Sequence, residues 1–173
     1  MTRIIAIANQ KGGVGKTTTS VNLAASLAAT KRRVMLIDLD PQGNATMGSG
    51  LEKSELELSS YDVLMGEKTV NEAMVNSAEG DYQLLPSNAD LTGAEIGLLD
   101  EIAREIRLRN ALESVKDDYD FIFIDCPPSL NMLTINALVA ADAVIIPMQC
   151  EYYALEGLTA LLETIEKIRK FLN

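Results

Sequence analysis

The sequence predicts an α/β fold of three layers: a mostly parallel sheet with helices on both faces. Three observations carry that prediction. Short runs rich in β-branched and aromatic residues recur along the chain, and longer helical patterns separate them. The runs are also apolar almost without alternation, as expected of strands buried on both faces. Strands that alternate with helices imply βαβ crossovers. The chain has 173 residues, which suits one domain with one core, so residues 1–173 are expected to form a single unit.

The predicted strands are Arg3–Ala8, Arg33–Ile37, Phe121–Ile124 and Ala143–Pro147, with a weaker one at Tyr82–Leu85 that Pro86 ends. Helical patterns cover Lys16–Ala29, a pair across Leu91–Val115, Leu130–Ala140 and Leu155–Leu172. Gly48–Gly80 is polar and acidic, with apolar bursts at Tyr61–Met65 and Val70–Val75, and reads as two short helices at the rim of the sheet. The sequence shows no internal repeat and no low-complexity segment.

Composition narrows the chemistry. Net charge is -10, so the field of the whole molecule repels phosphate backbones, and contact with nucleic acid would need a local basic patch. There is no histidine, which removes the commonest general base and metal ligand. Catalysis would rest on carboxylates, lysines, backbone amides and a metal ion. The two cysteines, Cys126 and Cys150, form no CxxC pair and are expected to be reduced. No apolar run approaches the roughly 18 to 20 residues of a membrane span. The N-terminal apolar run passes at once into Asn9-Gln-Lys without a signal-peptide cleavage site, so a cytoplasmic protein is expected.

The run from Ile4 to Thr18 reads as strand, glycine-rich loop and helix start. Gly12, Gly13 and Gly15 are expected to take positive φ and bring backbone N–H groups close to an anion. The helix beginning near Lys16 points its positive dipole end at the same place. Lys16 supplies a mobile charge for the β- and γ-phosphates of a nucleotide, and Thr17 a hydroxyl for Mg²⁺. Together Lys11-Gly-Gly-Val14-Gly-Lys-Thr-Thr18 predicts a P-loop of the nucleoside-triphosphatase type, with Mg-ATP as its ligand. The pattern GxxxxGK[ST] expects glycine where Gln10 stands, and the loop carries a second lysine, Lys11, which would otherwise be an exposed loop residue.

Carboxylates follow two of the strands. Asp38 and Asp40 lie in Leu36-Ile-Asp-Leu-Asp-Pro-Gln-Gly-Asn44, and Asp125 ends Phe121-Ile-Phe-Ile-Asp. Parallel sheets bind ligands at the carboxyl ends of their strands, so all three are expected beside the phosphate loop. Asp125 is expected to hold Mg²⁺ through its water shell, since that ion dehydrates reluctantly. Asp38 and Asp40, two apart, would point the same way in an extended segment, toward metal and γ-phosphate. Alternatively one of them caps a turn, because Asp40-Pro41-Gln42-Gly43 is turn-forming. Asp40–Thr46 and Asp125-Cys-Pro-Pro-Ser-Leu130 read as switch segments, although the paired prolines of the second would also make a rigid entry to a helix.

The sequence resembles the ParA/Soj-type partition ATPases, the deviant Walker A group of the ParA/MinD superfamily. The resemblance rests on Asn9-Gln-Lys-Gly-Gly-Val-Gly-Lys-Thr-Thr18, Asp38-Leu-Asp-Pro-Gln-Gly-Asn-Ala-Thr46, Asp125-Cys-Pro-Pro-Ser129 and Pro147-Met-Gln-Cys-Glu-Tyr-Tyr-Ala-Leu-Glu-Gly157, in the family's order. It implies an ATP-dependent switch in which two subunits sandwich two ATP molecules and the homodimer binds DNA without sequence preference. A ParB-like centromere-binding protein then stimulates weak hydrolysis. By the same resemblance Lys11 reaches the partner subunit's phosphates, Asp40 orients the attacking water, and Asp38 assists around the metal. Glu151 is implied to contact the nucleotide across the dimer, or else to be a surface cap after the strand.

Family members usually continue beyond the region matching Leu172, so the chain reads as lacking the C-terminal third, and weak or absent DNA binding is expected of it. Two other readings stay open: a non-hydrolysing ATP-dependent interaction module, and a membrane-associated ATPase of the MinD kind. The second needs an amphipathic helix with a basic face. Lys167, Arg169 and Lys170 are interleaved with Glu156, Glu163 and Glu166, a pattern of a solvated face, so no membrane contact is expected.

Overall fold

The computed structural model describes residues 2–149 and 154–172, without the side chains of 154–156. Among the described residues six strands form one sheet in the order β3-β4-β2-β5-β1-β6. They are β1 (Arg3–Ile7), β2 (Val34–Asp38), β3 (Val75–Asn76), β4 (Gln83–Leu85), β5 (Phe121–Asp125) and β6 (Ala143–Ile145). Every pairing is parallel except that of β3 with β4.

Side chains alternate across the sheet and divide the core in two. Ile4, Ala6, Met35, Ile37, Ile122 and Ile124 belong to one cluster, and Ile7, Val34, Leu36 and Phe123 to the other. The first cluster is covered by α3 (Ser60–Met65), α4 (Val70–Ala73), α5 (Leu91–Gly97), α6 (Arg107–Leu112), α7 (Met132–Ala140) and α8 (Ala154–Phe171). The second is covered by α1 (Lys16–Ala29) and α2 (Asn44–Gly48), which contribute the small residues Ala24, Ala28 and Ala45. The three-layer prediction therefore holds, and Val34–Ile37 of β2 are all buried, as their unbroken apolar run required, with Asp38 buried beside them.

Where the elements differ from expectation, local chemistry gives the reason. The burst Val70–Val75 is helical only to Ala73; Val75 and Asn76 turn into a short strand antiparallel to β4. Two residues are too few for periodicity to register. The helix expected from Leu130 starts at Met132, because the Asn131 side chain accepts the Thr134 N–H and caps the first turn. The pair across Leu91–Val115 is broken into α5 and α6 with 3₁₀ turns at Leu98–Asp100 and Arg104–Ile106. In the polar stretch after Gly48, α3 and α4 each begin with a capping box, Ser59 with Asp62 and Thr69 with Glu72.

Strand register sets up the site. Asp125 at the end of β5 lies opposite Ile7 of β1 on one side and Asp38 of β2 on the other. The loop after β1 and the segments after β2 and β5 therefore leave the same edge of the sheet. Strand order also breaks there, since β5 is inserted between the consecutive strands β1 and β2, and such switch points open a crevice.

Candidate functional site

The loop between β1 and α1 is held from below and open above. Asn9 is buried; its Nδ2 donates to the Pro147 carbonyl at 2.8 Å and its Oδ1 accepts the Lys11 N–H at 3.0 Å. Val14 is buried and anchors the loop in the molecule. Gly13 and Gly15 have φ of 74° and 91°, which strain any residue with a Cβ. Gly12 does not share that conformation, so the expectation of positive φ is corrected at this position: the turn reverses only at Gly13 and Gly15. A Cβ built on any of the three meets no atom within 4 Å, so the loop faces open space. Gly15 caps α1 in the left-handed conformation and no side chain caps the helix, leaving an anion as a suitable partner for the N–H groups of the first turn.

Lys16 is buried, and its Nζ donates to the Lys11 carbonyl at 3.1 Å. Burial lowers its pKa, while the nearby Asp125 and Asp40 carboxylates oppose that shift. The charge is thus poorly hydrated and in the field of two acids, ready for a stronger anionic partner. Thr17 Oγ1 donates to Asp125 Oδ2 at 2.8 Å, and Ser20 Oγ lies 2.7 Å from Asp125 Oδ1. Burial pushes the Asp125 carboxyl up to about 6, against the hydrogen bonds from Ser20 and Thr17. Hydroxyl and carboxylate oxygens form a donor set that suits a hard cation such as Mg²⁺. Among the described residues no group of three or more His, Cys, Asp and Glu side chains forms a metal cage. A hard ion here would need further oxygens from water or a phosphate.

Asp38 and Asp40 part company. Asp38 is fully buried, with Oδ1 accepting the Asp40 N–H at 3.0 Å and Oδ2 accepting the Thr46 N–H and hydroxyl at 2.8 and 2.7 Å. Both oxygens are thus engaged inside the segment they belong to, and Asp40 Oδ1 likewise accepts the Gln42 N–H at 2.9 Å, so the turn-capping alternative holds for Asp40 as well as for Asp38. Burial raises its carboxyl to about 7, and the Asp125 charge adds to the rise. Asp40 lines a cavity of about 520 Å³ together with Gly12, Gly13, Gly15, Lys16, Thr17 and Thr18. Gln42, Asn44 and Pro128 complete its wall, so both predicted switch segments border the same space.

Comparison with known proteins decides the family. The family model for an AAA domain matches residues 2–173. The sporulation initiation inhibitor protein Soj of Bacillus subtilis is 56% identical over 173 residues, which is 100% of this chain and 68% of Soj. The chain belongs to the ParA/Soj family. An uncharacterized protein of Pseudomonas putida is 67% identical over 173 residues, 100% of this chain and 66% of that protein. The chromosome partitioning protein ParA of Myxococcus xanthus is 52% identical over 171 residues, 99% of this chain and 60% of ParA. The chain thus spans about two thirds of the length of the curated relatives it matches.

Two solved structures extend the comparison. Cobyrinic acid a,c-diamide synthase from Mycobacterium smegmatis, with bound ADP and magnesium, superposes with a TM-score of 0.96 at 47% identity, over 100% of this chain and 70% of that one. A putative plasmid partition protein from Borrelia burgdorferi bound to AMPPNP gives 0.86 at 32% identity, over 99% and 72%.

In this ParA/Soj-family chain, Gly12, Gly13, Gly15, Lys16, Thr17, Thr18 and Asp40 border one cavity, and Asp125 joins it through Thr17. Asp38 is instead turned into its own segment, and Lys11 and Val14 do not line the cavity. Glu151 lies outside the described residues, as does Cys150. Cys126 is a free, buried thiol whose pKa burial raises further. Three supporting residues were not singled out from the sequence: Ser20, Ser60 and Ser87. Ser20 had a signal, since it follows Lys16 by one helical turn on the same face. Ser60 Oγ donates to the Asp38 carbonyl at 2.9 Å and Ser87 Oγ to the Asp40 carbonyl at 2.7 Å. Both bonds are long-range contacts that no local pattern announces.

Proposed function

We propose that this chain binds Mg-ATP in the loop cavity and hydrolyses it slowly, as the nucleotide switch of a DNA-segregation ATPase. The observation that carries the reading is the convergence on one cavity of the glycine loop, Lys16, Thr17 and Asp40. Gly12, Gly13, Val14 and Gly15 would wrap the phosphates with backbone N–H groups, and Lys16 would exchange the Lys11 carbonyl for phosphate oxygens. Thr18 borders the same space. Thr17 and Asp125 would hold Mg²⁺, Asp125 through water. When bound, the ion neutralises charge on the phosphates. Asp40 would orient the attacking water, a role that depends on position more than on basicity. Asp38 would act around the metal indirectly, by holding Asp40 and Thr46. The nucleotides carried by the Mycobacterium and Borrelia neighbours support this reading.

The partition reading is supported by the names of the Bacillus and Myxococcus relatives. On it, Lys11 would reach the phosphates of a second copy in an ATP-dependent homodimer, with Glu151 at the same interface. A ParB-like protein would complete the site and accelerate turnover. Non-specific DNA would be the track, reached in a cytoplasmic, nucleoid-associated setting, with this chain alone contributing little DNA affinity. No described helix is long and apolar enough to cross a membrane.

Substitution of Asp40 tests hydrolysis. Asp40→Ala is expected to bind Mg-ATP within about twofold of wild type and to lose about 100-fold in turnover. Unchanged turnover contradicts the assignment, and no turnover in wild type favours the inert module. The name of the Mycobacterium neighbour suggests a second reading, an ATP-dependent amide synthase. ATP turnover in the absence of any carboxylic-acid co-substrate separates the two.

A further inference from the structure

Asp40 accepts the Gln42 N–H on its carboxylate at 2.9 Å and the Gly43 N–H on its carbonyl at 2.8 Å, and its backbone is also gripped through a closed ring of hydrogen bonds. Its N–H donates to Asp38 Oδ1 at 3.0 Å. Asp38 Oδ2 accepts the Thr46 hydroxyl at 2.7 Å, and Thr46 Oγ1 in turn accepts the Ser87 N–H at 2.9 Å. Ser87 Oγ then donates to the Asp40 carbonyl at 2.7 Å, which closes the circuit. Each hydroxyl in the ring has one proton to give and gives it once. Asp38, Thr46 and Ser87 all have 0% exposure, so water cannot substitute for a broken link. Gly43 makes room for the ring: its φ is 62°, and a Cβ there would come within 3.0 Å of the Ser87 carbonyl.

We infer that Thr46 and Ser87 are positioning residues, which fix the Asp40 carboxylate by holding the peptide groups on both sides of it. The inference rests on the proposed role of Asp40 in hydrolysis. The two residues come from different elements: Thr46 lies in α2, while Ser87 lies in the segment between β4 and α5, outside all four sequence motifs. The same segment runs into α5, whose Glu95 accepts from Asn131 at the start of α7. Ser87 thus connects the Asp40 segment to an element that also touches Asn131, the residue that follows the Asp125–Leu130 segment.

The test pairs turnover with amide hydrogen exchange in the full chain. Thr46→Val removes the hydroxyl at nearly constant volume, Thr46→Ser keeps it, and Ser87→Ala removes only the bond to the Asp40 carbonyl. For Thr46→Val and Ser87→Ala, exchange across Asp40–Thr46 is expected to rise about tenfold without nucleotide, while β2 and β5 stay protected. Their kcat is expected to fall about tenfold at a KM for ATP within about twofold, and Thr46→Ser is expected to match wild type. Should Thr46→Val fail to fold, Ser87→Ala carries the test. Faster exchange with unchanged kcat overturns the inference, as does a Thr46→Ser variant no better than Thr46→Val. A wild type without turnover refutes the ATPase reading instead, and the exchange arm alone then decides the ring.

Discussion

Asp38 and Asp125 face each other across adjacent strands, and their titration gives the residue scale its sharpest consequence. Burial and the Asp125 charge raise Asp38 from an ordinary 3.8 to about 7. Asp125 is raised to about 6, chiefly by burial. The native state therefore holds these protons more tightly than the unfolded chain does. The stability this contributes is complete below about pH 4 and is lost as pH rises through about 7. Without nucleotide or metal, the Tm of wild type is expected to fall relative to that of Asp38→Asn between about pH 4 and about pH 7. Thermal melts across that range check it, and parallel curves contradict it. The principal loop and strand-end residues could be read from sequence because their chemistry is local: glycines before a lysine at a helix start, aspartates at strand ends. The hydroxyls of Ser60 and Ser87 could not, since each finds its partner across 22 and 47 residues of chain.

At the scale of elements, legibility followed length and burial. β2 and β5 are plain because every position before the closing Asp38 and Asp125 is apolar on a sheet covered from both sides. The strand β6 was overrun by two residues, because Ile146 and Pro147 continue the apolar run after pairing with β1 has ended at Ile145. The stretch after Gly48 was harder, since its helices are too short for a periodic face and depend on their caps. Ser59 accepts the Tyr61 N–H at 3.2 Å while Asp62 accepts the Ser59 N–H at 2.8 Å. Ser59→Ala is expected to cost about 1 kcal/mol, read as a lower urea midpoint at unchanged m-value. No change would mean that Val63 and Leu64, buried in the core, hold α3 without its cap.

For the whole molecule, charge and cavity set opposite demands. A net charge of -10 repels polyanions at a distance, while the loop, Lys16 and the first turn of α1 form a small positive site within that field. DNA affinity of this chain with Mg-ATP at low salt is therefore expected to be weak, and tight, steeply salt-dependent retention in filter binding would contradict that. A triphosphate differs because the loop meets it at contact distance, where N–H groups and an under-hydrated lysine outweigh the distant field. Isothermal titration calorimetry of the folded chain with ATP and Mg²⁺ tests this most directly. Saturable heat is expected, with the affinity weakened by about 100-fold or more in Lys16→Ala. Absence of heat from folded protein, or equal affinity in Lys16→Ala, would contradict the account at its centre.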